Sequence, residues 1–193
     1  MQNKIIAVTG GIGTGKTLAL NIIAGLGYPV IDCDQIVKEL YTKRNILREL
    51  KKLFPRAITG FFKPKADKKV ISEEAFSDAQ KHRALTEFFA PKVLDIALSL
   101  AEKFSGKVFI EVPLLFELEK AGDFDAVIVI TREKLHRIEG VMERSNLTRE
   151  QVLERIKFQF DYENADLSKH IVIENDGTAK DLKEKLIKII EKI

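Results

Sequence analysis

Residues 10–17 read Gly-Gly-Ile-Gly-Thr-Gly-Lys-Thr, which fits G-x-x-x-x-G-K-[ST], and they stand between a strand-like apolar run at 4–9 and a helical pattern at 15–24. Few patterns constrain a chain more. Glycines without a Cβ let successive backbone N–H groups turn inward around a phosphate, and the helix that follows adds unpaired N–H groups and a positive dipole end. Gly11, Ile12, Gly13, Thr14 and Gly15 are therefore expected to cradle the phosphates of a nucleotide. Lys16 is expected to reach its β and γ phosphates, and the Thr17 hydroxyl to bind Mg²⁺.

The rest of the chain must supply a sheet for that loop to stand on. Short β-branched runs at 4–9, 28–32, 107–112, 125–131 and 171–174 alternate with helical patterns, which predicts an α/β fold. Their nearly continuous apolarity marks strands covered on both faces, and a doubly wound, parallel, five-stranded sheet follows. Helices are predicted over 133–144, from the capping box of Thr148 and Gln151 toward Phe160, and over 180–193 with Leu182, Leu186, Ile189 and Ile190 on one face. About seventy-five residues separate the second and third strands, more than one crossover helix needs. They read as an aromatic, basic connection at 54–69 followed by a helix over 72–104, kinked at Pro91. The expected division is one P-loop domain of 193 residues: a nucleotide-binding core at 1–34, 105–132 and 161–193, a helical acceptor-binding insertion at 35–104, and a helical lid at 133–160.

Composition closes off other classes. Thirty-two basic against 29 acidic residues leave +3, too even a balance to argue for a nucleic-acid partner or a membrane. Cys33 is the only cysteine, so there is no disulfide framework or cysteine-rich zinc module, and a reducing cytoplasmic setting is expected. The N-terminus lacks a signal-peptide pattern, and no apolar run approaches the roughly 20 residues of a membrane-spanning helix.

The phosphate loop does not name the acceptor. Guanine recognition would call for N-K-x-D after a strand, whereas Glu174-Asn175-Asp176-Gly177 lacks the lysine. The second strand ends Asp32-Cys33-Asp34. Strand alternation would put both carboxylates on one side near the loop, able to deprotonate a hydroxyl or hold Mg²⁺, although the same pair could simply cap the next helix. Cys33 would point the other way, as a small core residue. Arg132, Arg137, Arg144, Arg149 and Arg155 follow the fourth strand on helices joined at Ser145-Asn146-Leu147, a layout suited to a hinged lid that delivers an arginine to the phosphates.

Taken together, the sequence resembles the dephospho-coenzyme A kinase family through most of its length. Residues 9–17 resemble T-G-G-I-G-x-G-K-[ST], residues 30–34 the second-strand D-x-D, and residues 112–117 the P-L-L-x-E after the third strand. Arg144, Gln159 and Asn175-Asp176-Gly177 match the lid arginine, the helix glutamine and the N-x-G loop. The resemblance implies transfer of the γ-phosphoryl of ATP to the ribose 3′-hydroxyl of dephospho-coenzyme A, the last step of coenzyme A synthesis. It makes Asp34 the general base, gives Asp32 a secondary role through Mg²⁺, sets Lys16 and Arg144 on the transferring group, and places Asn175 and Gly177 by the adenine. Phe61, Phe62, Phe88, Pro113, Leu114, Leu115 and Glu117 would receive the acceptor. The chain departs from the pattern at Ala90, where histidine is usual, at Gly140 and Ala165, where arginines are expected, and at Lys169-His170. Those departures keep two alternatives in view: another P-loop small-molecule kinase, or a nucleotide-binding regulator with weakened catalysis.

Overall fold

The computed structural model describes residues 3–60 and 62–193. Its contacts divide the chain into two units, Met1–Asp32 with Leu98–Ile193, and Cys33–Ala97.

The first unit is built on a parallel sheet of β1 (Lys4–Thr9), β2 (Val30–Asp32), β5 (Lys107–Glu111), β6 (Ala126–Thr131) and β7 (Ile171–Glu174), in the order β2-β5-β1-β6-β7. All four pairings are parallel. Ile6, Ala7, Val8 and Thr9 are all buried in the central strand β1, which explains why the run carries no alternation: both faces are covered. Helix α1 (Lys16–Gly25) and helix α8 (Ala179–Ile190) close one face. Ala19, Leu20 and Ile23 of α1 and Leu182, Leu186 and Ile190 of α8 pack with Ile6, Val8, Phe109, Ile128, Ile130 and Ile173. Full burial of each leucine, isoleucine, valine or phenylalanine among them contributes about 1.5–3 kcal/mol. Thr178 caps α8 in a capping box with Asp181.

Between β6 and β7 lie α6 (Lys134–Ser145) and α7 (Arg149–Lys157). Glu133 caps α6, α6 ends at Asn146 with φ 51°, and Thr148 and Gln151 form the predicted capping box that opens α7. Ile138, Val141 and Val152 make a separate apolar cluster between the two helices, and Ile12 of the phosphate loop packs into it.

The second unit holds α2 (Cys33–Leu40), α3 (Arg44–Leu53), a small antiparallel hairpin of β3 (Ile58–Thr59) and β4 (Lys65–Ala66), α4 (Lys68–Ser77) and most of α5 (Ala79–Ala101). The helix predicted over 72–104 is two helices. Asp78 breaks it, with φ −140°, and accepts the N–H groups of Gln80 and Lys81 as α5 begins. Helix α5 then runs through Pro91 without interruption. Pro91 has no N–H to give the carbonyl one turn back. The Lys92 ammonium donates to the neighbouring Phe88 carbonyl at 3.0 Å.

Among the described residues no helix is long and apolar enough to cross a membrane.

Candidate active site

The phosphate loop leaves β1 at Thr9 and enters α1 at Lys16. Its glycines are sterically required. At Gly10 (φ 145°) a Cβ would lie 2.2 Å from the Ile130 carbonyl oxygen, at Gly13 (φ 80°) 2.6 Å from that of Arg137, and at Gly15 (φ 95°) 2.2 Å from the Asn175 side-chain nitrogen. No side chain fits any of these positions. Inside the loop the Thr14 hydroxyl donates to the Gly11 carbonyl at 2.9 Å. The Lys16 ammonium folds back onto the loop, donating to the carbonyls of Gly10 at 2.6 Å and Gly11 at 3.0 Å. Thr17 stands exposed at the start of α1.

Three side chains from distant sequence hold the loop from outside. The Ile12 N–H donates to Gln159 Oε1 at 2.8 Å, just beyond the end of α7. The Ile12 carbonyl accepts from Arg137 Nε at 3.1 Å, and the Arg137 guanidinium lies over Gly11, where a Cβ would meet it at 2.6 Å. Asn175, 7% exposed at the end of β7, donates its side-chain amide to the Thr14 carbonyl at 2.8 Å, and its own N–H goes to the Thr131 carbonyl. Asn175 thus meets the nucleotide loop through its backbone. Two residues on, a Cβ at Gly177 would be 2.7 Å from the Asp181 carboxylate of the α8 capping box.

The carboxylates do not fall where strand alternation predicts. Strand β2 stops at Asp32 and α2 starts at Cys33, so Asp34 is in the first turn of a helix and period two does not relate it to Asp32. Both are exposed, and Cys33 between them is buried. Asp32 is also separated from β1, because β5 runs between them and Glu111 pairs in register with Asp32 on one side and Val8 on the other. Glu111 is 7% exposed. Sequence reading passed over it as the end of an apolar run. The signal that would have found it is a carboxylate closing a core strand.

After β5 the chain turns through Pro113-Leu114-Leu115-Phe116-Glu117. Pro113, Leu114 and Glu117 are half-buried, whereas Leu115 has no exposed surface and supports the turn from within. Glu117 Oε1 accepts the Phe160 N–H at 2.8 Å, while its buried Oε2 has no partner among the described residues. Burial pushes the Glu117 carboxyl above its usual range, against the backbone hydrogen bonds and the Lys16 charge, which pull it down. Phe116 packs on Phe160, Tyr162 and His170 with ring centroids 4.7, 5.8 and 5.1 Å away. The Tyr162 hydroxyl lies 3.2 Å from Thr9 Oγ1, and burial pushes its pKa up to about 12.

Of the five arginines after β6, Arg137 is the one buried at the loop. Arg144 is exposed two turns farther along α6, seven residues on and so on the same face. A Cβ at Gly140 would have only the Arg132 guanidinium in reach, at 3.8 Å. His136 is exposed beside Asp176, 3.4 Å away. In the second unit Phe62 is 82% exposed and Phe88 half-buried against Phe89, while Phe61 lies outside the described residues. A cavity of about 320 Å³ there is lined by Arg44, Arg48, Lys51, Ile58, Phe62 and Pro64. Sequence reading assigned nothing to its three cations.

A strand–loop–helix with its glycines sterically fixed, its lysine on the loop and a basic helix pair clamped to it is a device for binding a nucleotide's phosphates. The model of the dephospho-CoA kinase family matches residues 4–181. The dephospho-CoA kinase of Thermus thermophilus is 32% identical over 190 residues, covering 98% of this chain and 91% of that one. A crystal structure of a Thermus thermophilus protein, 31% identical, superposes with a TM-score of 0.82 over 100% of this chain and 99% of its own. The dephospho-CoA kinase of Campylobacter jejuni, 28% identical, does so at 0.69 over 100% and 97%. The chain belongs to the dephospho-CoA kinase family.

Proposed function

We propose that this protein transfers the γ-phosphoryl group of ATP to the ribose 3′-hydroxyl of dephospho-coenzyme A, giving coenzyme A and ADP. The observation that carries the reading is the clamped phosphate loop, with Lys16 poised on its carbonyls, in a chain of this family. The acceptor oxygen forms a bond to the γ-phosphorus as the bond to the β–γ bridging oxygen breaks. The hydroxyl proton passes to Asp34, and ADP leaves with the bridging oxygen. Lys16 leaves the Gly10 and Gly11 carbonyls for the phosphates, and Arg144 adds a second cation from α6.

Thr17, Asp32 and Glu111 offer the hard oxygen donors that suit Mg²⁺. Among the described residues no cluster of three or more carboxylate, histidine or cysteine side chains could hold a metal by itself. Mg²⁺ is usually held partly by phosphates and water. When bound it would offset charge on the phosphoryl oxygens. The aromatic and basic surface of the second unit, with Phe62, Phe88, Arg44 and Arg48, is assigned to the acceptor, and the α6–α7 pair to a lid.

Incubation with MgATP and a panel of acceptors, read as ADP release, tests the assignment. Turnover with dephospho-coenzyme A and not with nucleoside monophosphates is expected, and absence of product with dephospho-coenzyme A refutes it. Asp34→Asn should keep ATP binding and lose about a hundredfold in rate. Lys16→Met should weaken both binding and transfer.

A further inference from the structure

The feature the proposed reaction leaves unused is the guanidinium of Arg137. Its side chain is 5% exposed, and a charge so far out of water is costly unless it is well paired. Its pairing is thin. Among the described residues its five N–H donors have as acceptors the Ile12 carbonyl at 3.1 Å and Glu163 Oε1 at 3.5 Å, and Glu163 is itself 44% exposed and shared with the Lys134 ammonium at 3.1 Å. On the loop side the guanidinium lies over Gly11, its Nη2 2.6 Å from where a Cβ there would stand. It also lines a cavity of about 290 Å³ together with Lys134, Ile156, Gln159 and Glu163.

The neighbouring carbonyls complete the argument. Gly10 and Gly11 point their oxygens at Lys16, and Ile12 points its oxygen at Arg137, so three successive loop carbonyls are held by two cations. Lys16 must abandon two of them to reach a phosphate. Arg137 is held differently: the next turn of its helix packs Val141 against Gly13, and its Nε stays on the Ile12 carbonyl. The loop therefore needs one fixed cation while the other moves.

We infer that Arg137 is a positioning residue of the phosphate loop: it holds the Ile12 carbonyl and Gly11 while Lys16 swings to the nucleotide, and its incompletely paired charge is balanced by the phosphates when they arrive. The inference rests on the loop binding ATP and not on which acceptor is used. It also separates the tasks of the two α6 arginines. Arg137 acts through the loop, and the exposed Arg144 is left free to touch the transferring group.

Calorimetric titration of the full chain with MgATP, with no acceptor present, tests this through two substitutions of opposite charge effect. Arg137→Gln removes the charge and should raise the ATP Kd tenfold or more. Glu163→Gln removes the competing counter-charge, leaves Arg137 on Ile12, and should lower the Kd severalfold. A residue that only held the fold would give weaker binding in both variants, or unchanged Kd values with a lower Tm, and either pattern overturns the inference. If Arg137→Gln does not fold, the sign of the Glu163→Gln shift decides alone: tighter binding supports the role, and unchanged or weaker binding overturns it. Failure of the proposed function would appear separately, as intact ATP binding without turnover of dephospho-coenzyme A.

Discussion

The side-chain amide of Asn175 donates to the carbonyl of Thr14 across 161 residues of chain, and it occupies the space a Cβ on Gly15 would need. One buried amide thus ties the end of β7 to the loop and explains why position 15 is glycine. Asn175→Leu leaves the Thr14 carbonyl unpaired and inserts a branched side chain beside Gly15. A stability loss of about 1–3 kcal/mol in urea unfolding is expected from the lost hydrogen bond. The ATP KM should rise in parallel, because the carbonyl it releases belongs to the loop. Gly15→Ala, with φ at 95° and 2.2 Å of clearance, should abolish ATP binding.

Ile12 is fastened three ways: its N–H to Gln159, its carbonyl to Arg137, and its side chain in the cluster of Ile138, Val141 and Val152. Ile12→Ala keeps both backbone bonds and removes only the apolar anchor, at a cost of about 1–3 kcal/mol for a partly buried site. Hydrogen exchange of the α7 amides should accelerate in this variant while the β1 amides stay protected. Equal acceleration in both would show that the helix pair is held to the loop by something other than this side chain.

The parts of this arrangement that were legible in the sequence are those decided locally. The strand, loop and first helix follow from glycine sterics and apolar runs within about twenty-five residues, and the capping box at Thr148 is written in residues three apart. Lateral order was not legible. Nothing near Asp32 says that β5 separates it from β1, so the nearer carboxylate, Glu111, passed without a role inside the run at 107–112. Arg137 was hidden for a related reason. Arginines on a charged helix read as solvated, and only the packing of α6 on Gly13 shows which of the five is buried. Asp34 misled because a helix starts one residue after the strand ends, where periodicity has no length over which to change.

Glu117 should give stability a distinctive pH dependence. Burial raises its pKa in the folded chain above the ordinary 4.5, so the folded state binds the proton more tightly than the unfolded chain does. Its contribution is therefore fully present below pH 4.5 and is lost as pH rises through the folded value. Glu117→Gln keeps an oxygen for the Phe160 N–H and removes the titration. The stability difference between wild type and variant, followed by urea unfolding across pH 4 to 8, should shift in the variant's favour as pH rises. A constant difference would mean that Glu117 titrates alike in both states. Activity provides a second arm: the carboxylate that faces Lys16 electrostatically is gone, so turnover should fall even where the variant is the more stable.

The register partners Asp32 and Glu111 lead to a prediction about the metal. Adjacent strands lie about 4.8 Å apart, so in-register residues of a parallel pair present neighbouring side chains at the carboxyl edge, where ligands of open α/β sheets bind. Glu111 is the inner of the two, one strand from β1 and its loop, and Asp32 is the outer. An ion shared among Thr17, these carboxylates and the phosphates would depend more on the inner group. Asp32→Asn and Glu111→Gln should both raise the Mg²⁺ concentration needed for half-maximal turnover, Glu111→Gln by the larger factor. The measurement is a Mg²⁺ titration at fixed ATP with the folded fraction checked by circular dichroism, because Glu111 is buried and its substitution also disturbs the sheet edge. A larger shift for Asp32→Asn would place the ion at the outer strand, beside the start of α2, and return Glu111 to a structural role.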